Sequence, residues 1–92
     1  MIKGKTNSGF EFQYEDEVMN DMEIMDAIVE LETGESDIQK IHGYGFLLTK
    51  ILGKDGKKAL YDHVRLKSGR VPIEAIDAEL IEIISASKNG KN

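Results

Sequence analysis

Apolar and polar residues alternate at the start of the chain and then recur with a helical period. Residues 2–6 and 10–14 flank Asn7-Ser8-Gly9, a three-residue loop whose glycine suits the positive φ of a bulged hairpin turn. Pairing Thr6 with Phe10 sets Gly4 opposite Phe12 and Ile2 opposite Tyr14. Phe10, Phe12 and Tyr14 then share one face, while Lys5 meets Glu11 on the other. An aromatic ring laid over a strand glycine offsets the contact the glycine lacks. A lone hairpin is marginal in water, so the aromatic face is expected to lie on helices.

The first helix is expected over about residues 17–32, with Asn20 and Glu23 spaced as a capping box. At about 100° per residue, Val18, Met22, Ile24, Met25, Ile28, Val29 and Leu31 cover roughly half its circumference, where a surface helix needs a stripe of about 100°. One edge is branched (Ile24, Ile28, Leu31) and the other soft (Met22, Met25, Val29). Either the soft edge takes a partner, or both edges are core; apolar stripes are usually core, which gives the second reading more weight.

Ser36 caps a second helix over about residues 36–52, with Asp37 at its positive end. Ile38, Ile41, Tyr44, Leu48, Ile51 and Leu52 form its expected buried stripe, and Gly53 ends it. Gly43 and Gly45 each cost about 1 kcal/mol relative to alanine inside a helix. Their presence predicts a kink at Gly43-Tyr44-Gly45 or another backbone packed closely there. Asp55 is expected to cap a third helix over about residues 56–67, buried through Leu60, Tyr61 and Val64 and ended by Gly69. Arg70-Val71-Pro72 reads as extended, because the residue before a proline avoids the α region. A fourth helix over about residues 73–87 buries Ile73, Ile76, Leu80, Ile83 and Ile84. Residues 88–92 are polar and expected to be a disordered tail. A hairpin followed by four helices makes one small domain over residues 1–87, α+β but mostly α.

Charge changes this picture by dividing the chain. Up to Asp37 there are eleven acidic and two basic residues; beyond it there are six acidic and ten basic, which gives −9 and +4 and the net −5. Met19, Met22 and Met25 all sit in the acidic half, at three-residue spacing. Pliable thioethers in an acidic surround suit an apolar, basic protein partner and suit nucleic acid badly. The basic half carries Lys54, Lys57, Lys58, Arg65, Lys67 and Arg70 but only Tyr61 as a stacking aromatic. That half is expected to attract acidic protein surface, of the same chain or of another copy, so weak head-to-tail self-association is anticipated. No nucleic acid and no membrane partner is expected, since no apolar run approaches the roughly 20 residues of a membrane span. With no cysteine and no signal-like N-terminus, a reducing intracellular setting is expected.

Catalytic chemistry finds little to use. His42 and His63 lack repeated spacing and carboxylate neighbours at metal-ligand positions, so no metal and no cofactor is expected. Asp62 and His63 are adjacent and point about 100° apart on a helix. The serines read as turn, cap and tail residues. Gly53-Lys54-Asp55-Gly56-Lys57-Lys58 lacks the glycine spacing, the closing Ser or Thr and the preceding strand of a phosphate loop. No catalytic residue is assigned; a non-catalytic binder is expected, with Met19, Met22, Met25 and Val29 as its candidate partner-binding residues.

The order of pieces resembles a known family. A strand, Phe10-Glu11-Phe12-Gln13-Tyr14, leads to an acidic helix, Asp21-Met22-Glu23-Ile24-Met25-Asp26-Ala27. Ala59-Leu60-Tyr61-Asp62-His63-Val64-Arg65 follows, and then Gly69-Arg70-Val71-Pro72-Ile73-Glu74-Ala75-Ile76 runs into Ala78-Glu79-Leu80-Ile81-Glu82-Ile83. Over roughly residues 10–84 this is similar to the tail assembly chaperones of long, flexible-tailed bacteriophages and of prophages in Gram-positive bacteria, although Gly43-Tyr44-Gly45 interrupts the smoother helix of that pattern. The resemblance implies a non-catalytic chaperone in the host cytoplasm, absent from the mature virion. Such a protein binds the tape measure protein, keeps it soluble while the tail-tube protein assembles around it, and then leaves. It also implies a longer product made by translational frameshift, and Lys88-Asn89 and Lys91-Asn92 are compatible with slippery codons. The alternatives are a small virion structural protein, such as a head–tail joining component, and an acidic regulator that occupies a basic partner.

Overall fold

A computed structural model describes residues 1–34 and 36–89. The order is β1 (Ile2–Lys5), β2 (Glu11–Tyr14), a single 3-10 turn (Asp16–Met19), α1 (Met22–Thr33), α2 (Asp37–Val64) and α3 (Ile73–Asn89). The class is α+β, mostly α, as the periodicity predicts. Four helices were expected where three stand, because α2 is two helical segments that meet at Gly53 (φ 77°, ψ 171°). That φ belongs to the left-handed side, where a Cβ is disfavoured, so glycine turns the corner within a single residue. The basic segment after Gly53 is therefore helical from Lys54 and ends at Val64, not Lys67. Asp55 lies within it and is not its cap.

The hairpin register is Ile2↔Tyr14, Gly4↔Phe12 and Lys5↔Glu11. Thr6 N–H donates to the Phe10 carbonyl at 2.9 Å. A Cβ on Gly4 would lie 2.6 Å from Phe12 Cζ, so the ring covers the strand exactly where a side chain is missing. Phe10, Phe12 and Tyr14 are buried against the helices. The Tyr14 hydroxyl donates to the Ile83 carbonyl at 2.6 Å, and burial raises its pKa above the ordinary value.

Helix boundaries follow local chemistry. Asp21, in extended conformation, accepts from the N–H groups of Glu23 (2.9 Å) and Ile24 (3.4 Å) and so caps α1. This replaces the expected Asn20–Glu23 box and moves the helix start to Met22. Met19 is consequently not on α1: it ends the preceding 3-10 turn. Ser36 caps α2 as expected, accepting from Gln39 N–H at 3.1 Å. Lys88 and Asn89 still belong to α3, so the disordered tail expected from residue 88 is helical backbone at its first two positions; residues 90–92 lie outside the described residues.

α2 is the spine. Leu47, Leu48 and Leu60 from its two segments are fully buried and meet Ile24 of α1 and Leu80 and Ile83 of α3. α1 and α3 pack on α2 and barely on each other, while β2 lies on α2 and β1 on α3. Gly43-Tyr44-Gly45 is not kinked. Leu31 of α1 sits over Gly43, where a Cβ would approach Leu31 Cδ2 to 3.2 Å, and Tyr44 is buried. The first turns of α2 correct the expected stripe: Ile38 is 80% and Ile41 46% exposed, because these turns extend past the residues that cover the rest of the helix. Ile73 at the start of α3 is likewise exposed. Among the described residues no helix is long and apolar enough to cross a membrane.

Candidate functional site: an open apolar groove

The apolar arc of α1 is wider than the surface α2 offers it. Ile24 and Ala27 are buried against α2, and Ile28 and Leu31 are partly covered. Beyond them Met25 is 38%, Val29 56% and Met22 73% exposed. α1 and α3 both pack on α2 and barely touch each other, and a groove of about 340 Å³ opens between them. Met25, Ile28 and Leu31 form its α1 wall, Leu80, Ile81 and Ile84 its α3 wall, and Met19 reaches in from the 3-10 turn.

The four sequence-predicted residues thus separate. Met19 and Met25 line the groove. Met22 and Val29 do not; they continue the apolar surface around α1 onto its outer shoulder. Ile81 was missed, since the expected stripe of α3 ran through Leu80 and Ile84 without it. The signal was the run Leu80-Ile81 followed by Ile83-Ile84, which widens α3 as Met22, Met25 and Val29 widen α1.

The mouth of the groove is acidic. Glu32 and Asp77 stand among its lining residues, with Ser85 and Ser87, and no lysine, arginine or histidine does among the described residues. Asp77 accepts from the Tyr44 hydroxyl at 2.8 Å. Burial, with this bond to a carboxylate, pushes the Tyr44 pKa up to about 12. The bond fixes the position of Asp77 at the groove edge and ties α3 to α2. At the other end of α1, Lys50 pairs with Asp21 (3.1 Å) and Glu23 (3.4 Å). The resulting hydrogen bond lowers the Asp21 pKa and raises that of Lys50. Both contacts hold α1 in antiparallel register on α2, leaving its far edge free.

A second constellation has the residue types of a hydrolytic triad. Glu79 is a buried carboxylate that accepts from the Thr6 hydroxyl (2.8 Å) and the Ser8 hydroxyl (2.9 Å). His63 Nε2 lies 3.0 Å from Ser8 Oγ and 3.1 Å from the Ser8 carbonyl oxygen. The set of contacts is satisfied together when Nε2 donates to the carbonyl, which can only accept, and the Ser8 hydroxyl donates to Glu79. A nucleophilic serine needs the opposite order, with a bare imidazole nitrogen receiving its proton. The network instead fastens the hairpin tip to α2 and α3, helped by the tilted Phe10–His63 ring pair at 5.6 Å. Among the described residues no group of three His, Cys, Asp or Glu side chains could hold a metal ion.

The groove is therefore the feature best suited to binding: apolar, open, and acidic at its rim. No protein-family model matches the chain, and neither a curated protein nor a solved structure matches it.

Proposed function

We propose that the chain is a tail assembly chaperone of a long, flexible-tailed phage or prophage, and that its groove between α1 and α3 holds an amphipathic helical stretch of the tape measure protein. The observation that carries this reading is the groove itself, apolar on both walls and soft at Met19 and Met25. Unbranched thioethers adapt to successive, different side chains, which is what a chaperone of a long apolar chain requires. Exposed contiguous apolar surface of this kind marks an interaction site on a small protein. The acidic mouth adds a preference for lysine or arginine flanking the bound apolar face. Covering the exposed parts of Met25 and Ile81 contributes roughly 1 kcal/mol each. Modest energy per site suits a chaperone that binds many segments and then leaves. The role is non-catalytic and belongs to the host cytoplasm, with the tail-tube protein as the later arrival.

The test is co-expression with the tape measure protein of a long, flexible-tailed phage, reading the soluble fraction of that protein and its co-purification. The wild type should keep it soluble. Met25→Glu with Ile81→Glu should abolish this while preserving the helical circular dichroism signal. Met22→Glu with Met25→Glu should do the same, with Met22 contributing from the outer shoulder. Full solubilisation by the groove variants overturns the site, and abundant peptides of this chain in purified virions overturn the chaperone role in favour of a virion component.

A further inference from the structure

The segment of α2 beyond Gly53 carries a surface opposite in character to the groove. Tyr61 stands between two depressions and lines both. On one side Ile41, Val71 and Ile73 make an apolar dimple of about 130 Å³. On the other, Lys54, Lys57, Lys58 and Arg65 surround Asp62. Lys58 and Arg65 both bond Asp62, at 3.1 Å each, which holds its pKa below the ordinary carboxylate value. Four cations thus face one carboxylate. Lys57 rests over the Tyr61 ring at 5.7 Å, and among the described residues neither it nor Lys54 joins a salt bridge.

The outer shoulder of α1 is the complement. Met22 and Val29 are exposed, with exposed Asp26 between them and Glu30 alongside. Residues 22, 26 and 29 follow one line along the helix, and 30 lies next to it. Among the described residues Asp26 and Glu30 join no salt bridge. Each surface therefore offers apolar anchors beside uncompensated charge, and the charges are of opposite sign.

We propose that these surfaces meet in solution, the acidic shoulder of α1 in one copy docking on the basic, Tyr61-centred end of α2 in a second copy. Contact between two like surfaces would oppose Asp26 and Glu30, or Lys54 and Lys57, to their own kind, which disfavours acidic-on-acidic or basic-on-basic pairing. Unlike surfaces present on every copy satisfy each other either reciprocally in a pair or head to tail in a contact that repeats. The attraction resides in exposed charge, screened beyond about 8 Å at physiological salt, so the association is weak and salt-sensitive. It does not depend on the tape measure reading.

Sedimentation velocity on the full chain, across a wide concentration range at low and high salt, tests it. The mean mass of the wild type should rise with concentration at low salt and return to the monomer at high salt. Lys54→Glu with Lys57→Glu, and separately Asp26→Lys with Glu30→Lys, should each stay monomeric. An equimolar mixture of the two should associate again, because each reversed surface then finds its opposite only on the other variant. Circular dichroism checks that both variants fold; should either not, the exposed single reversals Lys54→Glu and Asp26→Lys take their place. A wild type that stays monomeric, a reversed variant that self-associates as well as the wild type, or a mixture that stays monomeric overturns the proposal.

Discussion

Replacing Gly43 and Gly45 separately by alanine tests how α1 is seated on α2, and so how the groove is shaped. Both glycines lie inside a continuous stretch of α2, so each alanine gains the same intrinsic term, about 0.8–1.0 kcal/mol. Their surroundings differ. A Cβ at position 45 meets only Lys57 Nζ at 3.8 Å, an ordinary contact with the end of a flexible chain. Gly45→Ala should therefore keep the whole gain, stabilising by about 0.8 kcal/mol and raising Tm by about 3–6 °C for a domain of this size. A Cβ at position 43 meets Leu31 Cδ2 at 3.2 Å and Cγ at 3.4 Å, so Leu31 must give way. Leu31 is held between α2 and the groove, and overpacking of this kind costs about 1–3 kcal/mol. Gly43→Ala should come out between neutral and about 2 kcal/mol destabilising, which places the two alanines about 1–3 kcal/mol apart. Urea unfolding followed by circular dichroism, with a common m-value, measures the difference. Equal stabilisation by both alanines would refute the close seating of α1 on Gly43. Destabilisation by Gly45→Ala would refute an unkinked helix through Gly43-Tyr44-Gly45.

Three further outcomes follow from the polar contacts. Asp21 has a lowered folded pKa and Lys50 a raised one, so their pair is fully present between the unfolded values of 3.8 and 10.5 and fades as pH falls through the folded pKa of Asp21. Lys50→Met should move the Asp21 carboxyl midpoint upward in an NMR titration, and an unchanged midpoint would show that Lys50 is not its partner. Tyr44, raised to about 12, contributes stability that is complete below 10.0 and lost as pH rises toward 12. In an absorbance titration of phenolate, Asp77→Asn should lower the Tyr44 midpoint while burial keeps it above 10.0; no movement would break the Tyr44–Asp77 assignment. Glu79→Ala leaves the Thr6 and Ser8 hydroxyls without their acceptor and should destabilise by about 1–3 kcal/mol in urea, with Glu79→Gln recovering part of the loss. A change under about 0.5 kcal/mol would mean that the hairpin tip does not depend on this carboxylate.

What the sequence by itself determined here is what adjacent residues decide among themselves. The hairpin register follows from the side-chain period of two and from a loop of fixed length, so Gly4 under Phe12 was legible without any tertiary information. Ser36 as a cap is local in the same sense, being a side chain answering a backbone N–H three residues away. The excess apolar width of α1 was legible too, because periodicity counts apolar positions around a helix. It cannot say which of them a neighbour covers. Ile38 and Ile41 continue the same apolar pattern as Tyr44 and Leu48, yet Ile38 emerges into solvent and Ile41 only edges the dimple beside Val71 and Ile73. Met22 and Met25 have the same side chain three residues apart, and only the placement of α3 beside Met25 makes one a groove wall and the other a shoulder. Nothing local to α3 marks Glu79, which is buried because folding brings Thr6 and Ser8, more than seventy residues earlier in the chain, within hydrogen-bond reach. Exposure of an apolar residue and burial of a charged one are properties of pairs of distant segments, and only tertiary packing of the hairpin and helices brings those segments together.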